Sequence, residues 1–282
     1  MKILSILITS VVTLFLNGCA SNPYTSVDLV AASKYSTPGW VYAVKEQQKD
    51  IGIVFLHGKR GNPGLHHNDQ FIAKIRAQGY SVIAPVMPWS ELNYKGTRTQ
   101  GMEIIDSAIE QLGASKVVVI GHSMGGMAIL QYGSGKVSPK VVGLISVAPG
   151  HDPNNAGKLR MATEDSADKA CAMQEQGKGK KYANFNEMNE GRRYTIYASA
   201  EYYCTHYHVN EYPDSLLISA KIKTPIFILS GENDRLTHIY SHNDMYENLP
   251  DNSKNRYEVL SGGHLDVLYK HIDTMNQWIE TL

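Results

Sequence analysis

The sequence predicts an α/β protein with a mostly parallel central sheet that is flanked by helices and interrupted by an inserted cap. Short runs rich in Val and Ile alternate with segments of helical periodicity over residues 40–150, and this alternation resumes over 214–282. The residues between them, 151–213, are polar and contain no strong strand signal. Alternating strands and helices imply right-handed crossovers between parallel strands. We therefore predict a core in two parts, 40–150 and 214–282, with 151–213 as the cap.

Each element of the core has a local signal. The strands are nearly continuous apolar runs, which is typical of a sheet covered on both faces, and the helices have apolar residues three to four positions apart. Gly113 marks the end of the second helix, because glycine readily adopts the left-handed conformation that terminates helices. The predicted strands are 51–56, 80–85, 116–120, 141–147, 225–230 and 256–260. The predicted helices are 69–77, 97–112, 124–132 and 265–279.

The composition excludes two classes of protein. Hydrophobic residues make up 43% of the 282 residues and charged residues 19%, which is enough apolar material for a folded core and argues against intrinsic disorder. Lys plus Arg and Asp plus Glu number 27 each. The chain therefore lacks the overall positive charge that recruits nucleic acid, and we predict no nucleic-acid partner.

The N-terminal segment has the pattern of an export signal. A basic Lys2 precedes an apolar run from Ile3 to Leu16, which is the length of a signal h-region and short for a transmembrane span. The following Leu16-Asn17-Gly18-Cys19 resembles the lipobox of bacterial lipoproteins, although Asn17 departs from the small or branched residue common there. This resemblance implies a lipoprotein signal peptide over 1–18 and a lipid such as palmitate on Cys19. An ordinary secretory signal with an incidental cysteine is the alternative.

The residues after Cys19 suggest where such an anchor would lie. Ala20 and Ser21 take the place of the Asp that retains lipoproteins at the inner membrane of enteric bacteria. The resemblance therefore implies a membrane anchor in the bacterial cell envelope, at the outer membrane facing the periplasm. Residues 19–39 are rich in Ser, Thr, Pro and Gly, so we predict a tether between anchor and folded body.

Export would also affect the cysteines. If Cys19 carries lipid, Cys171 and Cys204 remain as a pair in an oxidising compartment, where a disulfide can form. Two unpaired thiols are the alternative. Neither cysteine has a metal-ligand neighbour at zinc-finger spacing, and we predict no metal site.

One motif carries chemistry. The predicted strand 116–120 leads directly into Gly121-x-Ser123-x-Gly125, and a helix follows. A serine at a sharp turn between a strand and a helix exposes its Oγ, and the flanking glycines allow backbone segments to approach closely. A serine hydroxyl also needs a base to remove its proton. The setting on both sides predicts that Ser123 is a nucleophile.

With this motif, the chain resembles the α/β-hydrolase superfamily, and in particular its esterase and lipase-like serine hydrolases. The resemblance covers about 50–150 and 220–282 and implies the order nucleophile, acid, base. Asp234 follows the predicted strand 225–230, and His264 follows the strand that ends at 260. The resemblance thus implies a Ser123-His264-Asp234 catalytic triad. Asp152 and Glu232 remain alternatives for the acid.

The same resemblance implies an oxyanion hole made of two backbone N–H groups. One belongs to Met124, the first residue of the helix after the nucleophile. The other is assigned to Lys59, because His57-Gly58-Lys59 follows the strand 51–56 and resembles the His-Gly oxyanion loop of the family. A loop in which His57 and Gly58 only shape a turn is the alternative.

Other aromatic and histidine residues leave their roles open. His66-His67 and His206-x-His208 have no carboxylate at a ligand spacing, so we interpret them as loop histidines. Trp89 and Tyr94 either line a substrate pocket or pack under the cap. Tyrosines of the cap either present a surface to substrate or pack within the cap. These six tyrosines are Tyr194, Tyr197, Tyr202, Tyr203, Tyr207 and Tyr212.

The resulting prediction is an enzyme that hydrolyses a small-molecule or lipid ester through an acyl-enzyme on Ser123, with no cofactor. An amidase, a peptidase or an acyltransferase would use the same triad, because the pocket and not the triad sets the substrate. A binding lipoprotein that has lost catalysis is a further alternative. The sequence carries no signal for acyl chain length or oligomeric state.

Overall fold

The computed structural model describes residues 25–30, 36–42, 49–92, 94–189 and 191–282, with the first two ranges described through their backbone. The strands are β1 (Thr25–Val30), β2 (Ser36–Tyr42), β3 (Ile51–Leu56), β4 (Val82–Pro85), β5 (Lys116–His122), β6 (Val141–Val147), β7 (Tyr182–Asn189), β8 (Arg192–Ser199), β9 (Ile226–Gly231) and β10 (Arg256–Leu260). The helices are α1 (His66–Ala77), α2 (Arg98–Leu112), α3 (Met124–Gly133), α4 (Gly157–Glu175), α5 (Ala200–Tyr207), α6 (Ser215–Ser219), α7 (Leu236–Ile239), α8 (His242–Glu247), α9 (Val267–Lys270) and α10 (Ile272–Ile279).

The central sheet has the strand order β1-β2-β4-β3-β5-β6-β9-β10. Every pairing from β4 to β10 is parallel, whereas β1 with β2 and β2 with β4 pair antiparallel. The predicted α/β class with a mostly parallel sheet is therefore confirmed. Because the carboxyl ends of the parallel strands meet at one edge, the loops after β3, β5, β6, β9 and β10 lie close together there.

The core is built on both faces of this sheet. Along β5, Val117 and Val119 point into one apolar layer, and Val118 and Ile120 point into the other, because successive side chains of a strand face opposite sides. The first layer is completed by α2, α3 and the cap, and the second by α1, α9 and α10. This double coverage explains why the strands are continuous apolar runs.

Local helix signals were accurate at one helix and incomplete at another. The helix predicted over 97–112 is α2, in which Thr97 and Gln100 form a capping box and Gly113 takes φ 72° at the end. The helix predicted over 265–279 is two helices, α9 and α10, separated at His271. The backbone of His271 leaves helical values (φ −113°, ψ 39°), which separates α10 from α9.

The N-terminal segment differs in part from the predicted tether over 19–39. The backbone of β1 and β2 forms a hairpin, and β2 pairs with β4 at the edge of the sheet. The Ser, Thr, Pro and Gly content indicated a loop, but strand pairing depends on the neighbouring strand more than on intrinsic propensity. The predicted signal peptide 1–18 and Cys19 lie outside the described residues. No helix among the described residues is both long and apolar enough to cross a membrane.

The insertion between β6 and β9 contains α4, the β7-β8 hairpin, α5 and α6. The expectation that this region lacks a strong strand was wrong. The sequence did not indicate these strands because β7 fully buries only Phe185 and Glu187. One of its two buried residues is charged, so apolar and polar residues do not alternate along the strand as is typical of a half-buried strand. Cys171 of α4 and Cys204 of α5 form a disulfide, with 4.8 Å between their Cα atoms. The bridge links the two helices that pack on the hairpin.

Candidate active site

Ser123 occupies the sharp turn between β5 and α3. Its backbone angles are φ 55° and ψ −117°, a conformation that non-glycine residues seldom adopt. Backbone hydrogen bonds hold it there: the Ser123 N–H donates to the Val147 carbonyl at 2.9 Å, and the Gly150 N–H donates to the Ser123 carbonyl at 3.1 Å. The strained turn, predicted from the motif, directs the hydroxyl out of the sheet.

The glycines of the motif are required by close backbone contacts. A Cβ on Gly121 would lie 2.3 Å from the Gly125 carbonyl oxygen, and a Cβ on Gly125 would lie 2.3 Å from the Leu56 carbonyl oxygen. These distances are far below van der Waals contact, and the opposing atoms belong to the backbone. Glycine at both positions therefore allows β5, α3 and the end of β3 to meet beside Ser123.

Ser123, His264 and Asp234 form a continuous chain of hydrogen bonds. The His264 Nδ1–H donates to Asp234 Oδ2 at 2.7 Å, because a carboxylate can only accept. His264 Nε2 then carries the lone pair, and it lies 3.0 Å from Ser123 Oγ. The Asp234 side chain is buried and also accepts from the Leu236 N–H at 2.9 Å. The structure thus brings together the three residues that were predicted to act together.

Two further contacts hold the His264 loop. The His122 Nε2–H donates to the His264 carbonyl at 2.7 Å, and the two rings are 4.9 Å apart. Burial lowers the pKa of His122 well below its ordinary value, so the ring is neutral and carries one hydrogen. The contact with the His264 carbonyl places that hydrogen on Nε2. Asp266 accepts from the Gly263 N–H at 2.5 Å. These bonds orient the peptide that carries His264.

The alternative acids are placed elsewhere. Asp152 is fully buried and accepts from the Asn154 N–H at 2.9 Å, the Ser215 N–H at 3.1 Å and the Asn155 amide at 2.9 Å. It therefore joins the start of the cap to its end. The Glu232 side chain is exposed and accepts from Asn233 at 3.3 Å. Neither carboxylate is hydrogen-bonded to His264 in the described part of the chain.

The loop after β3 passes directly beside Ser123. A Cβ on Gly58 would lie 3.1 Å from the Ser123 Cβ. The buried His57 ring shapes this loop, since Nδ1–H donates to the Gly58 carbonyl at 2.8 Å and Nε2 accepts from the Met87 N–H at 3.0 Å. Burial lowers the pKa of His57 to about 4, so the ring stays neutral. His57 is thus a structural residue of the loop.

Lys59 lies in the same loop, and the sequence did not reveal its partner. Lys59 Nζ is 2.7 Å from the buried Glu187 carboxylate and donates to the Met188 carbonyl at 2.8 Å. Both partners belong to β7 of the cap. Glu187 escaped prediction because its inward position depends on a hairpin that the polar pattern did not indicate.

A cavity of about 730 Å³ opens over Ser123 and His264. Apolar side chains from the cap and from α7 contribute to its wall, among them Leu159, Met188 and Leu236. Lys59 and His151 also line it. The volume is in the range of sites that bind small molecules. The hydroxyl of Ser123 therefore faces a cavity of suitable size and mixed polarity.

Trp89 and Tyr94 pack under the cap, which was one of the two roles left open. Trp89 lies 6.2 Å from His206 and donates to the His57 carbonyl at 2.8 Å, and Tyr94 lies 5.6 Å from Tyr202, ring to ring. Four of the six cap tyrosines are likewise buried, whereas Tyr197 is 65% exposed and Tyr194 is partly buried against Arg60. Tyr202, Tyr203, Tyr207 and Tyr212 are each at most 3% exposed. Tyr240, which the sequence did not single out, instead lines the cavity.

The interpretation of the histidine pairs as loop residues was wrong for three of them, because His66 and His67 lie in α1 and His206 lies in α5. All four contact other protein groups. His206 Nδ1–H donates to the Tyr202 carbonyl at 2.8 Å, and His208 lies 3.3 Å from the Asp168 carboxylate. His66 lies 3.0 Å from the Gln70 amide, and the His67 ring is 5.8 Å from that of His122. Across the described ranges, no three His, Cys, Asp or Glu residues are grouped in a way that would hold a metal ion.

Comparison of the folded chain with solved structures reveals close similarity in architecture at low sequence identity. The alpha/beta hydrolase GrgF from Penicillium sp. sh18 superposes with a TM-score of 0.68 at 15% identity, covering 92% of this chain and 97% of the other. The monoacylglycerol lipase of Paleococcus ferrophilus gives a TM-score of 0.62 at 18% identity, covering 81% and 93%. The esterase domain of a Rhodothermus marinus protein gives 0.62 at 14%, covering 92% and 98%.

Sequence comparison leads to the same architecture. No curated protein matches the chain significantly. The sequence pattern of the family described as "Alpha/beta hydrolase family" matches residues 53–275, which include both parts of the core and the cap between them. On this match, the chain belongs to the alpha/beta hydrolase family.

Proposed function

We propose that this protein is a serine hydrolase that cleaves carboxylic esters through an acyl-enzyme on Ser123. The observation that carries the proposal is the chain of hydrogen bonds from Ser123 Oγ to His264 and on to Asp234, at 3.0 Å and 2.7 Å, beside the cavity. A neutral imidazole that accepts from a serine hydroxyl and donates to a buried carboxylate is the arrangement that general-base activation of serine needs.

In the acylation step, His264 Nε2 takes the Ser123 proton while Oγ bonds to the ester carbonyl carbon. The tetrahedral intermediate then breaks its bond to the alcohol oxygen, which receives the proton from His264. Asp234 accepts from Nδ1 throughout and stabilises the imidazolium that forms between the two transfers. In deacylation, water takes the place of the alcohol, and the carboxylic acid leaves with Ser123 restored.

The developing negative oxygen requires donors that are already in place. We assign the backbone N–H groups of Met124 and Lys59. Met124 begins α3, where the helix dipole adds positive potential. Lys59 lines the cavity next to Ser123, and its neighbour Gly58 lies so near the serine that an added Cβ would be 3.1 Å from the Ser123 Cβ.

The cavity supports an ester of small-molecule size with an apolar portion. Its wall includes Leu159, Met188, Leu236, Ile239 and Tyr240. Burial of each methylene in such a wall stabilises the complex by about 0.8 kcal/mol, so affinity should rise with chain length until the cavity is full. Solved structures of similar fold include a monoacylglycerol lipase and esterases, which is consistent with an ester substrate.

We also propose that the protein is anchored to the bacterial cell envelope by lipid on Cys19, at the outer membrane facing the periplasm. The apolar run Ile3–Leu16 followed by Leu16-Asn17-Gly18-Cys19 supports this placement. The Cys171–Cys204 disulfide accords with an oxidising compartment. Radiolabelled palmitate should enter the wild type and not Cys19→Ala, and incorporation into both proteins would refute lipidation at Cys19.

Labelling with a fluorophosphonate probe tests the nucleophile. We expect the wild type to be labelled and to hydrolyse 4-nitrophenyl esters, with kcat/KM rising along a series of acyl chain lengths. Ser123→Ala should lose labelling and about 1,000-fold or more of kcat, because an alanine side chain cannot form the acyl-enzyme. Retention of labelling in Ser123→Ala would refute the assignment.

A further inference from the structure

The cap contacts the loop after β3 at successive residues. Lys59 Nζ lies 2.7 Å from Glu187 on β7, and the Arg60 guanidinium lies 4.6 Å from the ring centre of Tyr194 on β8. Glu187 and Tyr194 are direct cross-strand partners in the β7-β8 hairpin. One cross-strand pair of the hairpin therefore contacts two successive residues of the loop: Glu187 forms an ion pair with Lys59, and Tyr194 forms a cation–π contact with Arg60.

The Lys59–Glu187 pair is buried on both sides. The Glu187 side chain is fully buried and that of Lys59 is 7% exposed. Within the described residues, neither oxygen of the Glu187 carboxylate accepts a hydrogen bond, so its contact with Lys59 is an ion pair. Burial, followed by the Glu187 charge, raises the pKa of Tyr203 and Tyr207, which remain neutral phenols near this carboxylate.

Stability alone does not account for such a pair. Removing two charges from water costs about as much free energy as their attraction returns, and well-packed apolar side chains often serve at least as well. A buried pair does fix the position of the Lys59 side chain, because Nζ must lie within reach of both the Glu187 carboxylate and the Met188 carbonyl, which it contacts at 2.8 Å. The end of the Lys59 side chain is thus held at a defined point on the cap.

The other side of the loop is held by the core. The His57 Nε2 accepts a hydrogen bond from the Met87 N–H at 3.0 Å, and the Arg60 N–H donates to the Trp89 carbonyl at 2.9 Å. Arg60 adopts φ 59°, in the left-handed region that residues with a Cβ seldom occupy. Between these points lies the Gly58–Lys59 peptide, whose carbonyl accepts from the His57 Nδ1–H at 2.8 Å and from the Gly61 N–H at 3.0 Å. These bonds hold the peptide within the loop, and the Lys59 side chain ties the same segment to the cap.

We propose that Glu187 is a positioning residue that orients the Lys59 backbone N–H toward the developing oxyanion, so that a correctly packed cap is required for transition-state stabilisation. This inference rests on the proposed esterase function. It assigns the cap hairpin a role in catalysis in addition to lining the cavity. Substrate binding in the ground state depends on the apolar wall and should change little when the pair is lost.

The test replaces the pair as a unit. Lys59→Met combined with Glu187→Leu removes both charges and keeps similar volumes, so no unpaired charge is left buried. We expect the double variant to unfold at nearly the wild-type temperature, to keep KM within about threefold, and to lose about 10- to 100-fold in kcat, since one misplaced oxyanion donor affects the transition state more than bound substrate. Glu187→Gln, which preserves shape, should lose kcat in the same range.

Two controls separate positioning from a general effect on the cap. Arg160→Met with Glu164→Leu removes an exposed pair of the same charges on α4 (3.0 Å, both side chains about half exposed) and should leave kcat unchanged. Lys59→Arg keeps a cation opposite Glu187 and should retain most of the activity. Affinity for a trifluoromethyl ketone, whose adduct carries the oxyanion, should fall in the Lys59/Glu187 double variant by the same factor as kcat/KM.

The outcomes distinguish this inference from the proposed function. A wild type that neither reacts with a fluorophosphonate nor hydrolyses esters would overturn both. A reactive wild type whose Lys59→Met/Glu187→Leu variant keeps its kcat and its affinity for the ketone would overturn the positioning role of Glu187 alone. A double variant that loses affinity for substrate and ketone equally would likewise overturn it, because it would indicate a binding role.

Discussion

Replacing Asp234 and Asp152 separately by Asn should separate catalysis from stability. Both aspartates follow a strand of the parallel sheet, and the sequence left both as acids for His264. In the structure, Asp234 accepts from His264 Nδ1 at 2.7 Å, whereas Asp152 accepts from backbone and amide donors of the cap. The two substitutions remove the same charge from two buried sites with different partners.

Asp234→Asn should reduce kcat by about 10,000-fold. The Asn oxygen can retain the bond from the Leu236 N–H, which places the amide N–H₂ opposite His264 Nδ1. Two donors cannot share that contact, so His264 adopts the tautomer with hydrogen on Nε2. That hydrogen faces Ser123 Oγ at the position where the lone pair is needed. The free energy of unfolding should change by no more than about 1–2 kcal/mol, because one hydrogen bond is affected.

Asp152→Asn should have the opposite profile. Oδ1 accepts from the Asn154 N–H, and Oδ2 accepts from the Ser215 N–H and the Asn155 amide. If the side-chain nitrogen of the introduced asparagine replaces either oxygen, it faces N–H donors and cannot accept from them. Each buried donor left unpaired lowers the free energy of unfolding by about 1–3 kcal/mol. We expect the free energy of unfolding to fall by about 2–5 kcal/mol. Any remaining folded protein should keep a kcat close to that of the wild type.

The assay pairs initial rates on a 4-nitrophenyl ester with urea denaturation followed by circular dichroism, both at pH 7.5. Rates are normalised to the folded fraction that the denaturation curve gives. A larger loss of kcat in Asp152→Asn than in Asp234→Asn would refute the assignment of Asp234 as the acid.

Two further predictions concern stability. Replacing Cys171 and Cys204 by Ser should lower the free energy of unfolding by about 3–4 kcal/mol, since the bridge closes a loop with a sequence separation of 33; an unchanged urea midpoint would contradict this. Burial lowers the pKa values of His57, His206 and His242 to about 4, 3 and 4, while in the unfolded chain they titrate near 6.5. The three histidines should therefore not reduce the free energy of unfolding above pH 6.5. Between pH 6.5 and 4, the free energy of unfolding should fall by up to about 4 kcal/mol per pH unit, because only the unfolded state takes up these three protons. Urea denaturation at pH 7.5, 6.5 and 5.5 measures this slope, and equal stabilities at the three pH values would refute it.

The elements that the sequence predicted well are those with local signals. The ends of α2 are set by a capping box at Thr97 and a left-handed Gly113, both within one turn of the helix. The turn at Ser123 is likewise local, since a strand, a Gly-x-Ser-x-Gly segment and a helix succeed one another without a break. His264 was singled out by its place after the strand that ends at 260, together with the family order of nucleophile, acid and base, and both can be read from chain order.

The failures and open alternatives involve partners distant in the chain. The β7-β8 hairpin was missed because its inner face includes Glu187, a residue whose burial is possible only with Lys59 opposite it, 128 positions earlier. The sequence could not distinguish whether Trp89 and Tyr94 line a substrate pocket or pack under the cap, because the cap residues that they contact lie about 100 positions further along the chain. A pattern read along the chain contains no information about which charged group meets which.

By itself, the sequence determined the parallel sheet, the strained turn at Ser123 and the set of residues from which a triad could be drawn. Periodicity, glycine placement and chain order are properties of neighbouring residues, so a single chain records them. Tertiary structure alone decided that Asp234 and not Asp152 faces His264, and that a buried Glu187 holds the loop of Lys59. Both depend on hydrogen-bond and charge geometry at distances of about 3 Å, which arises only when segments far apart in the chain have packed together.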